Sequence, residues 1–252
     1  MNMNTKISII TVSYNSSNSI RRTIESVLDQ SLPPYEHIFV DGLSRDDTVS
    51  IIRSYQERYD GRGIKLRLIS EPDDGYYDAM NKGIHMATGD IIGILNSDDW
   101  YEKKALEIVN HYVKENPKAD IYMGAIYIHN GNSIIRKNAG YRKYYQTSRN
   151  FNHPAMFARS KAYQAVGDYI NGNVHNDYGW YLKALKMGLD VFIIPDTITN
   201  FMIGGVSSRK SFRNTLKRIR LKYQVYRQNG YSRLYMIECT LQELVKFVLI
   251  RS

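Results

Sequence analysis

Cysteine is nearly absent from this 252-residue chain: Cys239 stands alone. No internal disulfide can form from one thiol, and no cysteine-based metal site can be built, so a reducing compartment is expected. Long apolar runs are also missing. Ile7 to Val12 follows a polar start, Met1 to Lys6, and is too short for the apolar region of a secretory signal. No run approaches the roughly 18 residues of a membrane-spanning helix. The expected location is cytoplasmic, with any membrane contact peripheral and on the inner face. Acidic residues are scarce in one place only. Residues 207–252 carry 11 Lys and Arg against 2 Asp and Glu, while the remainder carries 23 of each. The whole formal charge of +9 therefore sits on the last segment, which points to a separate task for it. No internal repeat or low-complexity tract interrupts the chain.

What is abundant is tyrosine, with 21 copies against 7 Phe and 2 Trp. These rings pack like other aromatics but carry a polar tip that a sugar, a base or a membrane interface can use. The length suffices for a substantial core. Ile7 to Val12 reads as a buried, β-branched strand, followed by the polar turn Asn15 to Asn18 and a helix capped by Asn18 or Ser19 and running to Gln30. Pro33-Pro34 stops it. A second strand, His37 to Val40, ends at Asp41-Gly42. The next helix starts at Asp46 or Asp47 and places Val49, Ile52 and Tyr55 on one face. Further strands at Lys65 to Ser70 and Ile91 to Leu95 flank a helix from Tyr76 to Ala87. This alternation predicts a mostly parallel sheet covered by helices, with ligands at the carboxyl ends of its strands.

After a helix at 102–115, Asn116-Pro117 changes the pattern. Ile121 to His129 and Ser133 to Lys137 read as a hairpin across Asn130-Gly131. A helix at 177–187 and a strand at 191–194 follow. Beyond Gly204-Gly205, residues Phe212, Leu216, Ile219, Tyr223 and Tyr226 fall on one helical stripe beside Arg213, Lys217, Arg220 and Lys222. Gly230 interrupts, and Tyr231 to Ile250 resumes with Leu234, Leu241, Leu244, Val245 and Val248. The predicted division is 1–118, 119–206 and a basic amphipathic helical tail, 207–252. That tail suits an anionic membrane surface or packing on the protein; no nucleic-acid recognition motif supports a third use.

Three polar clusters fall at predicted strand or helix ends: Asp41, Asn96-Ser97-Asp98-Asp99, and Asn176-Asp177. Carboxylates gathered in one crevice repel each other unless a cation or ligand offsets the charge. A hard divalent ion on a diphosphate is the usual partner, although Asp and Asn also serve as ordinary turn and capping residues.

Thr11-Val-Ser-Tyr-Asn15, Val40-Asp-Gly-Leu-Ser-Arg-Asp-Asp-Thr48, Asp74-Gly-Tyr-Tyr-Asp-Ala-Met-Asn-Lys-Gly83, Ala87-Thr-Gly-Asp90 and Leu95-Asn-Ser-Asp-Asp-Trp100 occur in that order. Together they resemble the family-2 inverting glycosyltransferases of the GT-A fold, in particular the bacterial branch that assembles surface polysaccharides. The match runs from about Lys6 to Gly205. The resemblance implies a GT-A type, Rossmann-like α/β fold with a mostly parallel central sheet flanked by helices. It implies a nucleotide-sugar donor, with UDP the commonest, a glycan or lipid-linked acceptor, and Mn²⁺ or Mg²⁺. It assigns the nucleotide to Thr11, Val12, Tyr14, Asn15 and Asp41, the stretch closing over the nucleoside to Asp74, Asn81 and Lys82, and the ribose and diphosphate region to Asn96 and Ser97. Asp98 and Asp99 would carry the metal work, with the choice of ligand between them left open. Asp177 resembles the general base, with Asn176, His153 and Trp180 as candidate acceptor contacts; core packing is the favoured alternative for Trp180, and a loop histidine satisfied by a backbone group the alternative for His153. Gly204 to Ser207 resembles a loop near the diphosphate.

Two departures stand out. Asn96 replaces the first Asp of the family's Asp-x-Asp motif, and Gly42 stands where many members have a second Asp. Asn96 keeps alive a non-catalytic, sugar-nucleotide-binding partner subunit. A nucleotidyltransferase is a further alternative, weakened by the lack of a glycine-rich basic loop after the first strand. Donor sugar, acceptor, linkage and oligomeric state are not legible.

Overall fold

A computed structural model of the chain describes residues 5–203 and 212–249. Nine strands among the described residues form one sheet, in the order β3 (Lys65–Ser70), β2 (Glu36–Asp41), β1 (Ile7–Ser13), β4 (Ile91–Ile94), β8 (Met156–Arg159), β6 (Ile121–Asn130), β9 (Val191–Met202) and β5 (Trp100–Tyr101), with β7 (Ser133–Lys137) beside β6. The first half is the predicted parallel array: β1 (Ile7–Ser13), β2 (Glu36–Asp41), β3 (Lys65–Ser70) and β4 (Ile91–Ile94). Strands β1, β2 and β4 are buried along their whole length, which is why β1 and β4 read as β-branched runs rather than as an apolar–polar alternation.

Side chains still alternate between two packed faces. Phe39 meets α1 (Ile20–Leu28), α2 (Thr48–Ser54) and α3 (Gln56–Gly61) through Ile24, Ile52 and Tyr59. On the other face Ile10, Val12, Ile38 and Val40 receive Tyr77 and Met80 from α4 (Tyr76–Met86). Gly83 permits this approach, since a Cβ there would lie 2.4 Å from Ile10 Cγ2.

The second half extends the same sheet across residue 118. The strand β5 (Trp100–Tyr101) leads to α5 (Ala105–Glu115), then β6 (Ile121–Asn130) and β7 (Ser133–Lys137) form the predicted hairpin, turning at Gly131 with φ +57°. Then come β8 (Met156–Arg159), α6 (Ser160–Val166), α7 (Asn176–Lys186) and β9 (Val191–Met202). Strands β6 and β9 run with the first four, while β8, β7 and β5 run against their neighbours. Two short strands, β5 and β8, carry too few residues to show a period. The predicted strand at 191–194 continues to Met202 because Pro195 sits at a register shift in the β6 pairing, where no ladder bond is demanded of it.

The described part of the tail is a helical hairpin, α8 (Phe212–Gln228) and α9 (Tyr235–Leu249). Helix α8 packs on α7: Gly179 lies under Val225, the Tyr178 and Tyr226 hydroxyls are 3.1 Å apart, and Tyr226 donates to the Gln146 carbonyl at 3.1 Å. The predicted stripe divides here. Ile219 and Tyr226 are buried, Tyr223 is half-buried, and Phe212 and Leu216 are exposed, because α7 and α9 cover the flanks that carry Val225 and Lys222 respectively. Helix α9 is held by Glu243, whose carboxylate meets Lys222 at 2.7 Å, Arg218 at 3.0 Å and Lys246 at 3.3 Å. Burial disfavours charge on both Lys222 and Glu243. Three cations around one carboxylate decide the balance: despite burial, Glu243 is held down to about 2, and Lys222 falls below the usual lysine range.

Removing that carboxylate leaves three cations without a counter-charge, so Glu243→Ala should cost about 3–5 kcal/mol in chemical denaturation at neutral pH. The stabilisation is present above the unfolded Glu value of about 4.3 and is lost as pH falls toward 2. The difference between parent and variant should therefore shrink between pH 5 and 2; a pH-independent difference would contradict the assignment.

Candidate active site

The loops following β1, β2, β3 and β4 open on one edge of the sheet, since those strands are mutually parallel. Asp41 is fully buried at that edge. Its Oδ1 accepts from the Ser13 and Ser44 hydroxyls, and its Oδ2 from the Ser44 amide and the Ser70 hydroxyl, both at 2.8 Å. Asp41 thus ties together the ends of β1, β2 and β3, and its acceptor capacity is spent within the chain. Thr11 is likewise turned inward, its hydroxyl 2.9 Å from His37 Nε2, while Val12 packs under α4. His37 is neutral, burial having pushed it down to about 3.

Of the predicted nucleotide contacts on the first loop, Tyr14 and Asn15 are open, Tyr14 with 61% of its surface exposed. Asn15, at φ +50°, accepts from the Arg45 amide at 2.9 Å and braces the β2 loop. One acidic group escaped the sequence reading. Asp73 Oδ2 lies 2.9 Å from the point where a Cβ on Gly42 would stand, with Tyr14 Cδ2 3.5 Å from the same point. The space vacated at Gly42 is filled by a carboxylate from the β3–α4 loop. Asp73 sits next to Asp74 in the Asp74-Gly75 turn, where sequence gives no reason to prefer it.

Lys82 holds that loop, reaching Asp73 at 2.7 Å, Glu71 at 3.0 Å and Asp78 at 3.3 Å, and these partners raise its pKa. Asp74 is exposed, its amide donating to Asp78. Asn81 is buried and its amide exchanges two hydrogen bonds with the Tyr169 backbone, at 2.8 and 2.9 Å, so it pins the loop before α7 to α4. Both ends of that side chain are engaged away from a ligand.

The Asn96–Asp99 turn separates the two candidate metal carboxylates. Asp99 is fully buried; its Oδ1 accepts from the Met202 amide at 3.0 Å and its Oδ2 from the Asn96 side chain at 3.3 Å. Burial, with Asp98 adding repulsion, pushes its pKa up to about 8. Asp99 therefore locks the turn onto β9. Asp98 is half-buried and forms no salt bridge among the described residues. Arg22 stacks over Trp100 at 3.7 Å and donates to the Asp98 carbonyl at 2.9 Å, holding the turn from outside. The Ser97 hydroxyl meets that of Ser16 at 2.8 Å, closing the first loop onto this one. Among the described residues no three Asp, Glu, His or Cys side chains gather as a metal set. A single carboxylate can serve a hard divalent ion that takes its remaining ligands from diphosphate oxygens and water, and Asp98 is the residue that could hold one here.

The third cluster reaches the same edge through α4. Asp177 is half-buried in the first turn of α7, and its Oδ1 accepts from the Tyr77 hydroxyl at 3.2 Å and the Tyr178 amide at 2.7 Å. Asn176, His153 and Trp180 do not stand open beside it. Asn176 is buried, donating to the Ile170 carbonyl in the turn that starts α7. Trp180 is 4% exposed, donates to the Gly167 carbonyl at 2.7 Å and packs on Tyr163 and Tyr169. It is a core residue rather than a sugar platform. His153 is buried with Nε2 3.2 Å from the Tyr169 hydroxyl, and burial lowers its pKa. The predicted loop at Gly204 to Ser207 lies outside the described residues.

A curled, mostly parallel sheet flanked by helices, with polar loops gathered at one edge, defines the GT-A class of fold. Solved structures agree. A Staphylococcus aureus TarS fragment in complex with UDP superposes at TM-score 0.70 and 17% identity, covering 98% of this chain and 73% of that one. The mannosyltransferase PcManGT of Pyrobaculum calidifontis, in complex with GDP-Man and Mn²⁺, gives 0.66 at 17% identity, covering 99% and 71%. The model of glycosyl transferase family 2 matches residues 8–169, and the chain belongs to that family. Among curated relatives, TuaG of Bacillus subtilis (strain 168), named for teichuronic acid biosynthesis, is 38% identical over 118 residues, 47% of this chain and 46% of TuaG. The chondroitin synthase of Pasteurella multocida (strain Pm70) is 28% identical over 189 residues, 72% of this chain and 19% of the synthase. The chain thus spans less than half of either relative.

Proposed function

We propose that the chain is an inverting glycosyltransferase that moves a sugar from a nucleotide diphosphate donor to a hydroxyl of a glycan or lipid-linked oligosaccharide. The pathway would be surface polysaccharide synthesis: exopolysaccharide, capsule or O-antigen. The observation that carries this reading is Asp177, a half-open carboxylate tethered to the helix that leaves the Asp74-Gly75 loop. In this reading its free oxygen takes the acceptor hydroxyl's proton as that oxygen attacks the anomeric carbon. The bond from that carbon to the diphosphate breaks on the opposite face, which inverts the centre. A divalent ion, when bound at Asp98, stabilises the charge that develops on the leaving diphosphate. Tyr14, exposed beside Asp73, is the proposed stacking surface for the base. UDP is the favoured nucleotide because TarS structures hold UDP and UDP-GlcNAc, although PcManGT holds GDP-Man.

The tail is proposed to rest on an anionic membrane. No helix among the described residues is long and apolar enough to cross one. Instead α9 exposes Ile237, Leu241, Leu244 and Val245 on one face, and α8 exposes Phe212 and Leu216 beside Arg213, Lys217 and Arg220. Exposed apolar groups bordered by cations suit a headgroup layer, each cation adding about 1 kcal/mol near anionic lipid. Two copies of so basic a surface would repel each other, which disfavours self-association here.

Two experiments test these proposals. UDP release from a panel of UDP-sugars, with Mn²⁺ and a surface-glycan acceptor, should fall about a hundredfold or more in Asp177→Asn. Parental turnover in that variant would remove Asp177 as the base. In vesicle co-sedimentation, the protein should bind membranes containing phosphatidylglycerol and not neutral ones, and the paired change Ile237→Ser, Leu241→Ser should weaken binding. Equal recovery with both vesicle types, or dimerisation through the same face, would refute the membrane assignment.

A further inference from the structure

We infer that Tyr77 is the positioning residue for Asp177, fixing which carboxylate oxygen faces the acceptor. This rests on the reading of Asp177 as the general base. Two hydrogen bonds join the pair: the Tyr77 hydroxyl donates to Asp177 Oδ1 at 3.2 Å and accepts from the Asp177 amide at 2.9 Å. The Tyr178 amide adds a second donor to the same Oδ1 at 2.7 Å. With two donors on one oxygen, the carboxylate plane has little freedom to turn. Among the described residues Oδ2 receives no hydrogen bond, so it is the oxygen left to take a proton.

Tyr77 can do this because it is itself immobile. Its ring is 2% exposed, lies 5.6 Å from that of Tyr169 at an interplanar angle of 23°, and sits 4.2 Å from that of Tyr76. Tyr169 is fixed in turn by the two Asn81 hydrogen bonds to its backbone and by its hydroxyl contact with His153. This gives Asn81 and His153, singled out by sequence, a place in the same scaffold without contact with a substrate. The arrangement also has a directional consequence. Tyr77 is the second residue of α4, whose amino end is the Asp74-Gly75 loop, so the segment proposed to close over the nucleoside also carries the hydroxyl that holds Asp177 on α7.

The test is a double-mutant cycle on kcat in the full chain, using UDP-sugar turnover with Mn²⁺. Tyr77→Phe keeps the ring and deletes the hydroxyl. It should lower kcat about ten- to a hundredfold, the scale of a lost hydrogen bond to a charged group, while donor KM and UDP affinity stay within about twofold. In an Asp177→Asn background the same change should cost nothing further, because a residue acting only through Asp177 has nothing left to position. Additive losses in the double variant would overturn the inference, as would parental kcat in Tyr77→Phe. Loss of the fold in Tyr77→Phe would assign the hydroxyl a structural role and overturn it too. Parental turnover in Asp177→Asn would instead remove the base reading itself, and the inference with it.

Discussion

Parallel strands carry their carboxyl ends to one edge, and nearly every candidate site residue hangs from that edge. Once β1, β2, β3 and β4 are in parallel register, the loops holding Tyr14, Asp41, Asp73 and Asp98 have a common side of the sheet to occupy. Asp177 arrives from a later helix and joins them only because Tyr77 on α4 reaches it. The site is therefore a property of strand direction first and of individual side chains second. Burial supports the direction: a sheet covered by helices on both faces forces its polar chemistry to the ends of its strands.

At that edge the acidic and basic groups divide by what already satisfies them. Asp41, Asp99 and Lys82 are bound by the chain itself: four donors on Asp41, the Met202 amide and Asn96 on Asp99, three carboxylates around Lys82. They shape loops. Asp98 and Asp177 are half-buried and keep acceptor capacity, and these are the two carboxylates to which the proposed function gives a role. The substitution of Asn at position 96 takes on a physical sense here. Its amide donates to the buried Asp99, a bond that an aspartate in its place could make only when protonated.

Much of this was legible in the sequence. The four parallel strands fall where they are predicted, β1 and β4 as β-branched runs, and the β6–β7 hairpin turns where Asn130-Gly131 predicts it. Ordered motifs singled out Asp98 and Asp177 as candidates. What was not legible is which face a side chain turns to at a strand end: Thr11 and Val12 are neighbours in one motif yet point to opposite faces. Nor could spacing show that Asp73 fills the space over Gly42, because that contact joins two loops. The tail's stripe was seen as one surface, but packing divides it between α7, α9 and the exterior.

The central claim is that Asp98, with the donor's diphosphate, provides a divalent-metal site at the end of β4, while Asp99 serves the fold. Calorimetric titration of UDP into the purified chain, with and without Mn²⁺, tests it most directly when repeated on Asp98→Asn. The account predicts binding that needs the metal in the parent and is lost in the variant at unchanged secondary structure. Metal-dependent binding of parental strength in Asp98→Asn, or no binding of UDP, GDP or dTDP by the folded parent, would contradict it.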